Sequence, residues 1–364
     1  MAQNAPLHPE DPHGTDNSPA VIARKRHASE LLEALGQKHA KTNGGKVATK
    51  NPIKTYTQAA RWAARAHDPF LNLTMVFRVG VTVEGESIDE DPEVKAMSTE
   101  LRNRHYTVYK KILAATPTLR GLLDSNEFCE DPEGMAHLTN MMSSAYIGAR
   151  SDDTASIRNA GIAWITPERL TPINPPIDTG SNTSKALRGF KHPLTAKLLC
   201  PHRFSADYDA DPDNTRRLLD EQRIKATHKL LPAFLYDRPY NPNDIRDGLL
   251  KGYLVLRVYR SIFTGPATAM EQGPAHKLGP PCNAKKNHFY AATPHTVAYA
   301  AFQARYMLTS FDSWAVIDNF GFDSEAFYLK LVNMFESDPD GEWAKSLSRT
   351  IISIQLVRRG RGQC

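Results

Sequence analysis

The sequence has little cysteine and lacks the short motifs that mark common enzyme classes. Its 364 residues include four cysteines, none of them in a CxxC pair. Because a disulfide framework needs paired and regularly spaced cysteines, this usage predicts a protein of a reducing compartment. The nucleophile-elbow GxSxG, the P-loop, the dinucleotide-binding GxGxxG and the zinc-binding HExxH are also missing. The sequence therefore points to no known catalytic class.

Long apolar runs are missing as well. No segment approaches the roughly 20 consecutive apolar residues that a membrane-spanning helix needs. The first residues are polar and do not have the apolar core of a signal peptide. We therefore expect an intracellular protein, of the nucleus or the cytoplasm, with no membrane contact.

The positive charge is concentrated at the N-terminal end. Residues 1–66 hold ten Lys or Arg and five Asp or Glu, whereas residues 67–364 hold equal numbers of the two kinds, so the net charge of +5 belongs to the first 66 residues. Low hydrophobicity predicts that residues 1–54 form a disordered basic arm. The basic run within this arm either directs nuclear import or contacts phosphates non-specifically, or it only keeps the chain soluble. The candidates for nucleic-acid contact are Arg24, Lys25, Arg26, Lys38, Lys41 and Lys46.

The stretch 241–270 predicts the helix around which the core assembles. Asn243 can cap its start, and Gly265-Pro266 ends it. At 100° per residue, large apolar side chains cover a wide side of this helix and polar side chains fall on one narrow stripe. The stripe contains Tyr253, Arg257, Arg260, Ser261 and Thr264.

The stretch 73–83 fits two kinds of secondary structure. Its apolar residues alternate with smaller or polar ones from Leu73 to Val83, which favours a strand. Phe70, Leu73, Phe77 and Val81 also fall on one helical face. The alternation makes the strand our preferred prediction, although no other segment of the sequence offers an obvious partner strand.

Other helices are predicted from apolar spacing and from their end signals. Residues 94–112 have apolar side chains at steps of three and four, and this helix should stop at Thr116-Pro117. Asp153 is a candidate N-cap for a further helix. Thr293-Pro294 and Asp323 each provide the chemistry of a helix start.

No metal site or other cofactor is predicted. Asp207, Asp209 and Asp211 imitate the start of a calcium loop, but Pro212 occupies the position of the required glycine. The cysteine and histidine spacings match no common zinc module. His105 lies in an apolar helical stripe, and we interpret it as a packed histidine in preference to a ligand.

The polar stripe of the 241–270 helix allows two interpretations. Arg257 and Arg260, with Ser261 and Thr264 beside them and Arg305 from another helix, would suit a phosphate or a carboxylate. The alternative, which we prefer, is a solvated face or arginines paired within the fold. The candidate internal partners are Asp244, Asp247 and Glu325.

Four stretches in this order resemble a known family. They are GARSDD (148–153), GFKHPLTAKLLCP (189–201), GLLKGYLVLRVYRSIFTGP (248–266) and TPHTVAYAAFQARYMLTS (293–310). Together they resemble a large family of uncharacterised fungal proteins, found mainly in basidiomycetes and grouped as a domain of unknown function. The resemblance covers about residues 55–345. It implies a fungal intracellular protein and supplies no activity, cofactor or catalytic residue.

The chain departs from that family pattern after Trp343. Family members resemble one another in a Trp-rich close, whereas this chain ends in RTIISIQLVRRGRGQC. We therefore expect residues 351–364 to form an atypical basic tail.

The sequence as a whole predicts a mostly α fold. We expect one irregular multi-helix domain over residues 55–350, behind the disordered basic arm. The leading functional hypothesis is a non-enzymatic interaction protein whose partner is nucleic acid or another protein. The alternative is an enzyme that acts on an anionic substrate at Arg257, Arg260 and Arg305.

Overall fold

The computed structural model of the chain describes residues 53–125, 132–168, 170–180, 183–271, 282–289 and 291–355, together with Glu30 and Glu33. Within these ranges the regular structure is helical, and the only β pairing is three isolated bridges. The predicted mostly α fold is confirmed for this part of the chain. The predicted arm, except for Glu30, Glu33 and its last two residues, lies outside the described residues, and so do the six basic residues named for nucleic-acid contact. So does most of the predicted tail, residues 356–364.

The described ranges contain fourteen α-helices. They are α1 Ile53–Ala66, α2 Leu73–Glu84, α3 Pro92–Ala96, α4 Thr99–Ala115, α5 Pro117–Leu123, α6 Pro132–Ala160, α7 Pro193–Leu199, α8 Ser205–Ala210, α9 Pro212–Asp220, α10 Tyr253–Phe263, α11 Asn283–Lys286, α12 Pro294–Leu308, α13 Ser324–Glu336 and α14 Glu342–Gln355. No helix in these ranges is long and apolar enough to cross a bilayer.

The chain forms two compact units. Residues 53–60 and Asn72–Ala145 belong to the first unit, and Arg61–Leu71 and the residues from Tyr146 onward belong to the second. The division falls within α1 and within α6. The domain limits predicted from the sequence, 55–350, stay a prediction.

In the first unit, α2 packs against α4. The closest approach is at Gly80, where an added Cβ would lie 2.2 Å from Cγ of Tyr109. The Tyr109 ring also meets Phe77 edge to face, with the ring centroids 6.0 Å apart. Glycine is therefore needed at position 80 because a side chain there would occupy the space of the Tyr109 ring.

The strand predicted over residues 73–83 is wrong, because these residues form helix α2. Asn72 caps it by accepting hydrogen bonds from the amides of Thr74 and Met75. The buried positions follow helical spacing, with Val76, Phe77 and Gly80 inside and Val81 about half exposed. No strand is present among the described residues to pair with this segment, so the helix satisfies its backbone groups internally.

The helix predicted over residues 94–112 is divided in two. Met97 is extended, and Ser98 begins a new helix by accepting a hydrogen bond from the amide of Leu101. The predicted end is confirmed, since α4 stops before Thr116. His105 is buried in α4, and its Nδ1 lies 2.8 Å from the carbonyl oxygen of Leu101, as befits a packed histidine.

In the second unit, α12 packs against both α10 and α13. Nearly every residue of α12 from Thr296 to Leu308 is buried. The helix predicted to organise the core is thus one of two central helices. The predicted start of α12 is confirmed, because Thr293 forms a capping box with Thr296 and Pro294 opens the helix. Asp323 likewise caps α13.

The predicted N-terminal half of the 241–270 helix is wrong. The helix α10 begins only at Tyr253, and Asn243 lies in a turn. Left-handed backbone at Gly248 and Leu250 interrupts the helical path. The Gly252 amide donates to the carbonyl of Leu235 at 3.1 Å, and an added Cβ at Gly252 would lie 2.1 Å from the carbonyl oxygen of Phe234. These backbone contacts fix residue 252 before the helix begins.

Asp153 is not the N-cap of a new helix. It lies inside α6, a helix of 29 residues that runs to Ala160 without interruption. No proline occurs between Pro132 and Pro167 to break it. The Asp153 carboxylate is instead held by side chains of the second unit.

Candidate functional site

A buried polar network connects three helices of the second unit. Arg65 donates two hydrogen bonds to the Asp153 carboxylate, from Nε at 2.7 Å and from Nη2 at 2.8 Å. The Tyr299 hydroxyl donates to the same carboxylate at 2.8 Å and accepts from the Gln303 amide at 3.0 Å. Burial, and then the Asp153 charge, raise the pKa of Tyr299 well above its usual value, so this hydroxyl stays protonated.

A cavity of about 480 Å³ opens beside this network, at the C-terminal end of α10. We call it the α10 cavity. It is lined by side chains of α6, of the last turn of α10, and of the segments on either side of residues 272–281. The lining includes Asp153, Ser156, Ser261, Thr264, Glu271 and Cys282.

The turn after α10 gives the cavity one of its walls. Gly265 has φ of +115°, a conformation that side-chain-bearing residues rarely adopt, and an added Cβ there would meet no atom within 4 Å. The Thr264 and Thr268 hydroxyls lie 2.6 Å apart. Asn283 donates to the carbonyl of Ile262 at 2.7 Å and so covers one of the free acceptors of the helix end.

The residues predicted for an anion pocket have different partners. Ser261 and Thr264 line the α10 cavity. Arg257 donates to the carbonyls of Trp164 at 2.6 Å and of Pro167 at 2.5 Å. Arg305 is buried and forms an ion pair with Asp318 at 2.7 Å.

Arg305 lines a separate and much smaller cavity, of about 80 Å³. Neither Arg257 nor Arg260 lines that cavity. Arg260 is buried in the last turn of α10, and burial lowers its pKa while the charge of Glu271 acts to raise it. The observed contacts therefore divide the predicted arginines among three places in the second unit.

The internal partners predicted for these arginines also differ. Arg257 is held by backbone carbonyls, and Arg305 by Asp318, in place of Asp244, Asp247 or Glu325. The Asp247 carboxylate accepts from Arg238 at 3.0 Å. The acceptors of Arg257 and Arg305 lie in irregular segments outside their own helices. Spacing along a helix therefore could not predict them.

Comparison with known proteins places the second unit in a family. Residues 145–350 match a family of unknown function, DUF6698. The chain belongs to the DUF6698 family. No curated protein and no solved structure matches the chain. The whole described lining of the α10 cavity lies within the DUF6698 match, whereas Arg65 of the buried network lies outside it.

Two buried basic side chains within the DUF6698 segment escaped the sequence analysis. The Lys185 Nζ donates to the carbonyl of Tyr306 at 2.6 Å. Arg188 donates to the carbonyls of Arg158 at 2.7 Å and of Met307 at 3.2 Å. These carbonyls belong to the last turns of α6 and α12, whose partial negative charge favours cations. Nothing in the local sequence signals this role, because both residues lie in an irregular connection.

Burial strongly affects both side chains. Burial, together with the neighbouring Arg188 and Arg158 charges, lowers the pKa of Lys185 to about 6. It lowers the pKa of Arg188 to about 10. Asp312 balances part of the charge by accepting from Arg158 and from the Lys185 amide. Lys185 and Arg188 thus join the C-terminal ends of α6 and α12. Neither residue lines either of the two cavities described above.

The described residues of this DUF6698 protein contain no group of three or more His, Cys, Asp or Glu side chains arranged to hold a metal ion. Cys200 and Cys282 are buried free thiols. Of these, Cys282 lines the α10 cavity, and burial raises the pKa of Cys200 to about 12, where the thiol is unreactive at neutral pH.

Proposed function

We propose that this DUF6698 protein is a non-enzymatic interaction protein that contacts nucleic acid through its basic N-terminal segment. The observation that carries the proposal is the charge distribution. Residues 1–66 hold the whole net charge of +5, and the rest of the chain is balanced. A fungal source, suggested by the family resemblance, and a nuclear location, suggested by the basic run 23–27, are further parts of the proposal.

The contacts of the helical part support this assignment. Two of its buried guanidinium groups have carboxylate acceptors within the fold, Arg65 with Asp153 and Arg305 with Asp318. Arg188 and Arg257 are held by backbone carbonyls. A guanidinium that is already bonded and desolvated must break those bonds to bind a phosphate. The cations available for phosphate contact are therefore those outside the core.

Ion pairs within the fold also reduce the number of residues in the basic segment that can contact phosphate. Arg61 and Arg65 belong to it by sequence, but Arg61 pairs with Asp152 and Arg65 with Asp153. Eight Lys or Arg of residues 1–66 remain, and the proposed phosphate contacts are the six of them named from the sequence: Arg24, Lys25, Arg26, Lys38, Lys41 and Lys46. Lysine and arginine contacts to phosphates carry little sequence information, so the binding should be non-specific.

The proposal is tested by neutralising these six residues in the full-length chain. We expect the sixfold Gln variant to bind a short labelled DNA duplex at least about a hundredfold more weakly at low salt, because each cation releases a counterion when it binds a phosphate. Fluorescence anisotropy measures the affinity. Circular dichroism should show unchanged helix content.

A matched control removes the same charge from the helical part. Lys111, Lys191, Arg223, Lys225, Lys285 and Lys286 are exposed and are replaced by Gln together. This variant should keep most of the affinity. Equal losses in the two variants would show that only net charge matters. Loss in the control alone would place the contact on the helical part and contradict the proposal.

A further inference from the structure

We propose that His192 is an acid-sensitive latch for residues 170–180, which we call the connecting loop. Neutral His192 holds this loop on the second unit, and protonation of its ring releases the loop. The inference concerns the helical part alone and is independent of the proposed function.

The two ring nitrogens of His192 have opposite roles. Nε2 lies 2.7 Å from the carbonyl oxygen of Pro175, which can only accept, so Nε2 carries the ring proton. Nδ1 accepts a hydrogen bond at 3.1 Å from the amide of Leu194 and so caps the start of α7. An amide nitrogen can only donate, so Nδ1 is bare. The arrangement fits neutral imidazole, because the charged ring has a proton on both nitrogens.

The surroundings of His192 provide no partner for a positive charge. The residue is only 4 % exposed, and no carboxylate in the described part of the chain forms an ion pair with its ring. The Lys and Arg side chains of α7 and of the helices packed against it have carboxylates of their own. These pairs are Lys197 with Asp209, Arg216 with Asp213, Arg217 with Glu221 and Arg305 with Asp318. The remaining charged groups around it, Lys191, Asp178 and Asp220, are exposed, and Tyr208 donates to the Pro193 carbonyl at 2.6 Å.

Two other buried histidines face groups that are compatible with a ring proton. Nδ1 of His105 lies 2.8 Å from the carbonyl oxygen of Leu101, and Nδ1 of His202 lies 3.2 Å from the Ser205 hydroxyl. A carbonyl accepts a ring proton, and a hydroxyl can turn to accept one. An amide can do neither, so protonation of Nδ1 in His192 and its bond to Leu194 exclude each other.

Few contacts hold the connecting loop. All of its residues except Ile173 and Ile177 are exposed, and these two pack against the core of the second unit. Two side-chain hydrogen bonds reach the loop, from His192 to Pro175 and from Asn159 to the Gly180 carbonyl at 3.0 Å. A buried charge without a partner is costly, so a protonated His192 has to reach water. Its movement breaks one of the two hydrogen bonds and frees the isoleucines.

The test follows isoleucine methyl signals by NMR in the full-length protein at about pH 7.5 and about pH 5, a range in which histidine changes charge. We expect the Ile173 and Ile177 signals to move to the positions of an unfolded chain on acidification. The signal of Ile162, a buried core residue, should stay in place. Nitrogen-15 spectra of the histidine rings should show the proton on Nε2 of His192 at the higher pH, and its protonation should have the same midpoint as the isoleucine change.

Two variants separate the latch from a general effect of acid. His192→Asn keeps a side chain that can cap α7 but does not titrate, so the two isoleucine signals should no longer depend on pH. His288 is exposed, and His288→Asn should leave the pH response unchanged. The proposal is overturned by unmoved isoleucine signals at the lower pH, by movement of Ile162 together with them, or by protonation of His192 without loop release. A pH response that survives in His192→Asn, or that is lost in His288→Asn, would overturn it as well.

Discussion

At Lys185, burial and hydrogen bonding act against each other. The side chain is fully buried, and its Nζ donates to the carbonyl of Tyr306 and lies 3.7 Å from the centre of the Tyr306 ring. Both contacts favour the ammonium form, but Arg188 and Arg158 add positive charge nearby. Desolvation is the largest effect, so the amine loses its proton near neutral pH in the folded protein.

This state of Lys185 predicts an unusual pH dependence. The folded pKa is about 6, and an unfolded lysine has a pKa of about 10.4. Between these values the unfolded state binds one more proton, so the free energy of unfolding should rise with pH, by at most about 1.4 kcal/mol per pH unit from this residue. Lys185→Met removes the titrating group and should flatten the curve in urea titrations from pH 6 to pH 9.

Lys191→Met is the control, because it removes a lysine that is exposed and not buried. Its curve should run parallel to that of the unchanged protein. Parallel curves for the unchanged protein and Lys185→Met would mean that Lys185 keeps its proton when buried.

The partners of individual buried polar residues could not be predicted from the sequence. The prediction that Arg257 lies on the polar stripe of its helix used helical spacing alone. Its partners, the carbonyls of Trp164 and Pro167, are about 90 residues away in sequence. Asp153 was predicted as a helix cap, which is a signal within a few residues of sequence. Its actual role is to pair with Arg65, and that contact joins residues far apart in the sequence.

At the scale of the elements, helix α10 packs within the second unit through a cluster of aromatic side chains. Phe263 is fully buried, and its ring lies 4.7 Å from that of Tyr259 and 6.2 Å from that of Trp62, centroid to centroid. Phe289 completes the group at 5.8 Å. These contacts tie the end of α10 to α1 and to the residues after α11.

Phe263→Ala should therefore destabilise the protein by about 3–5 kcal/mol, because it removes a large buried ring and leaves a cavity. Urea unfolding followed by circular dichroism measures the loss. Leu170→Ala is the control, since Leu170 is 92 % exposed and should change stability by less than about 0.5 kcal/mol. A loss below about 1 kcal/mol at Phe263 would show that α10 is peripheral to the core.

Element ends were predictable where the signal is local. The caps at Thr293 and Asp323 were correct because the capping residue and the backbone amide that donates to it are neighbours in sequence. The start of α10 was not, because it depends on a backbone contact between Gly252 and Leu235. The helix α2 was mistaken for a strand because its valines alternate, and only packing against α4 distinguishes the two patterns.

At the scale of the whole molecule, the surplus positive charge and the family match lie in different parts of the chain. The DUF6698 match covers residues 145–350, and this range includes α10, α12 and the α10 cavity. The surplus of positive charge lies within residues 1–66, outside the match. If the proposed function is correct, nucleic-acid contact is a property of this chain's N-terminal segment and not of the matched family region.

The most direct test of that claim is the salt dependence of binding by the intact chain. Six phosphate contacts to duplex DNA predict that the logarithm of the affinity falls against the logarithm of the salt concentration with a slope of about −5. Titration of one labelled duplex at several salt concentrations gives the slope. A slope near −5 that falls towards zero in the sixfold Gln variant is the predicted result. No binding at low salt, or the same slope in both proteins, would contradict the account.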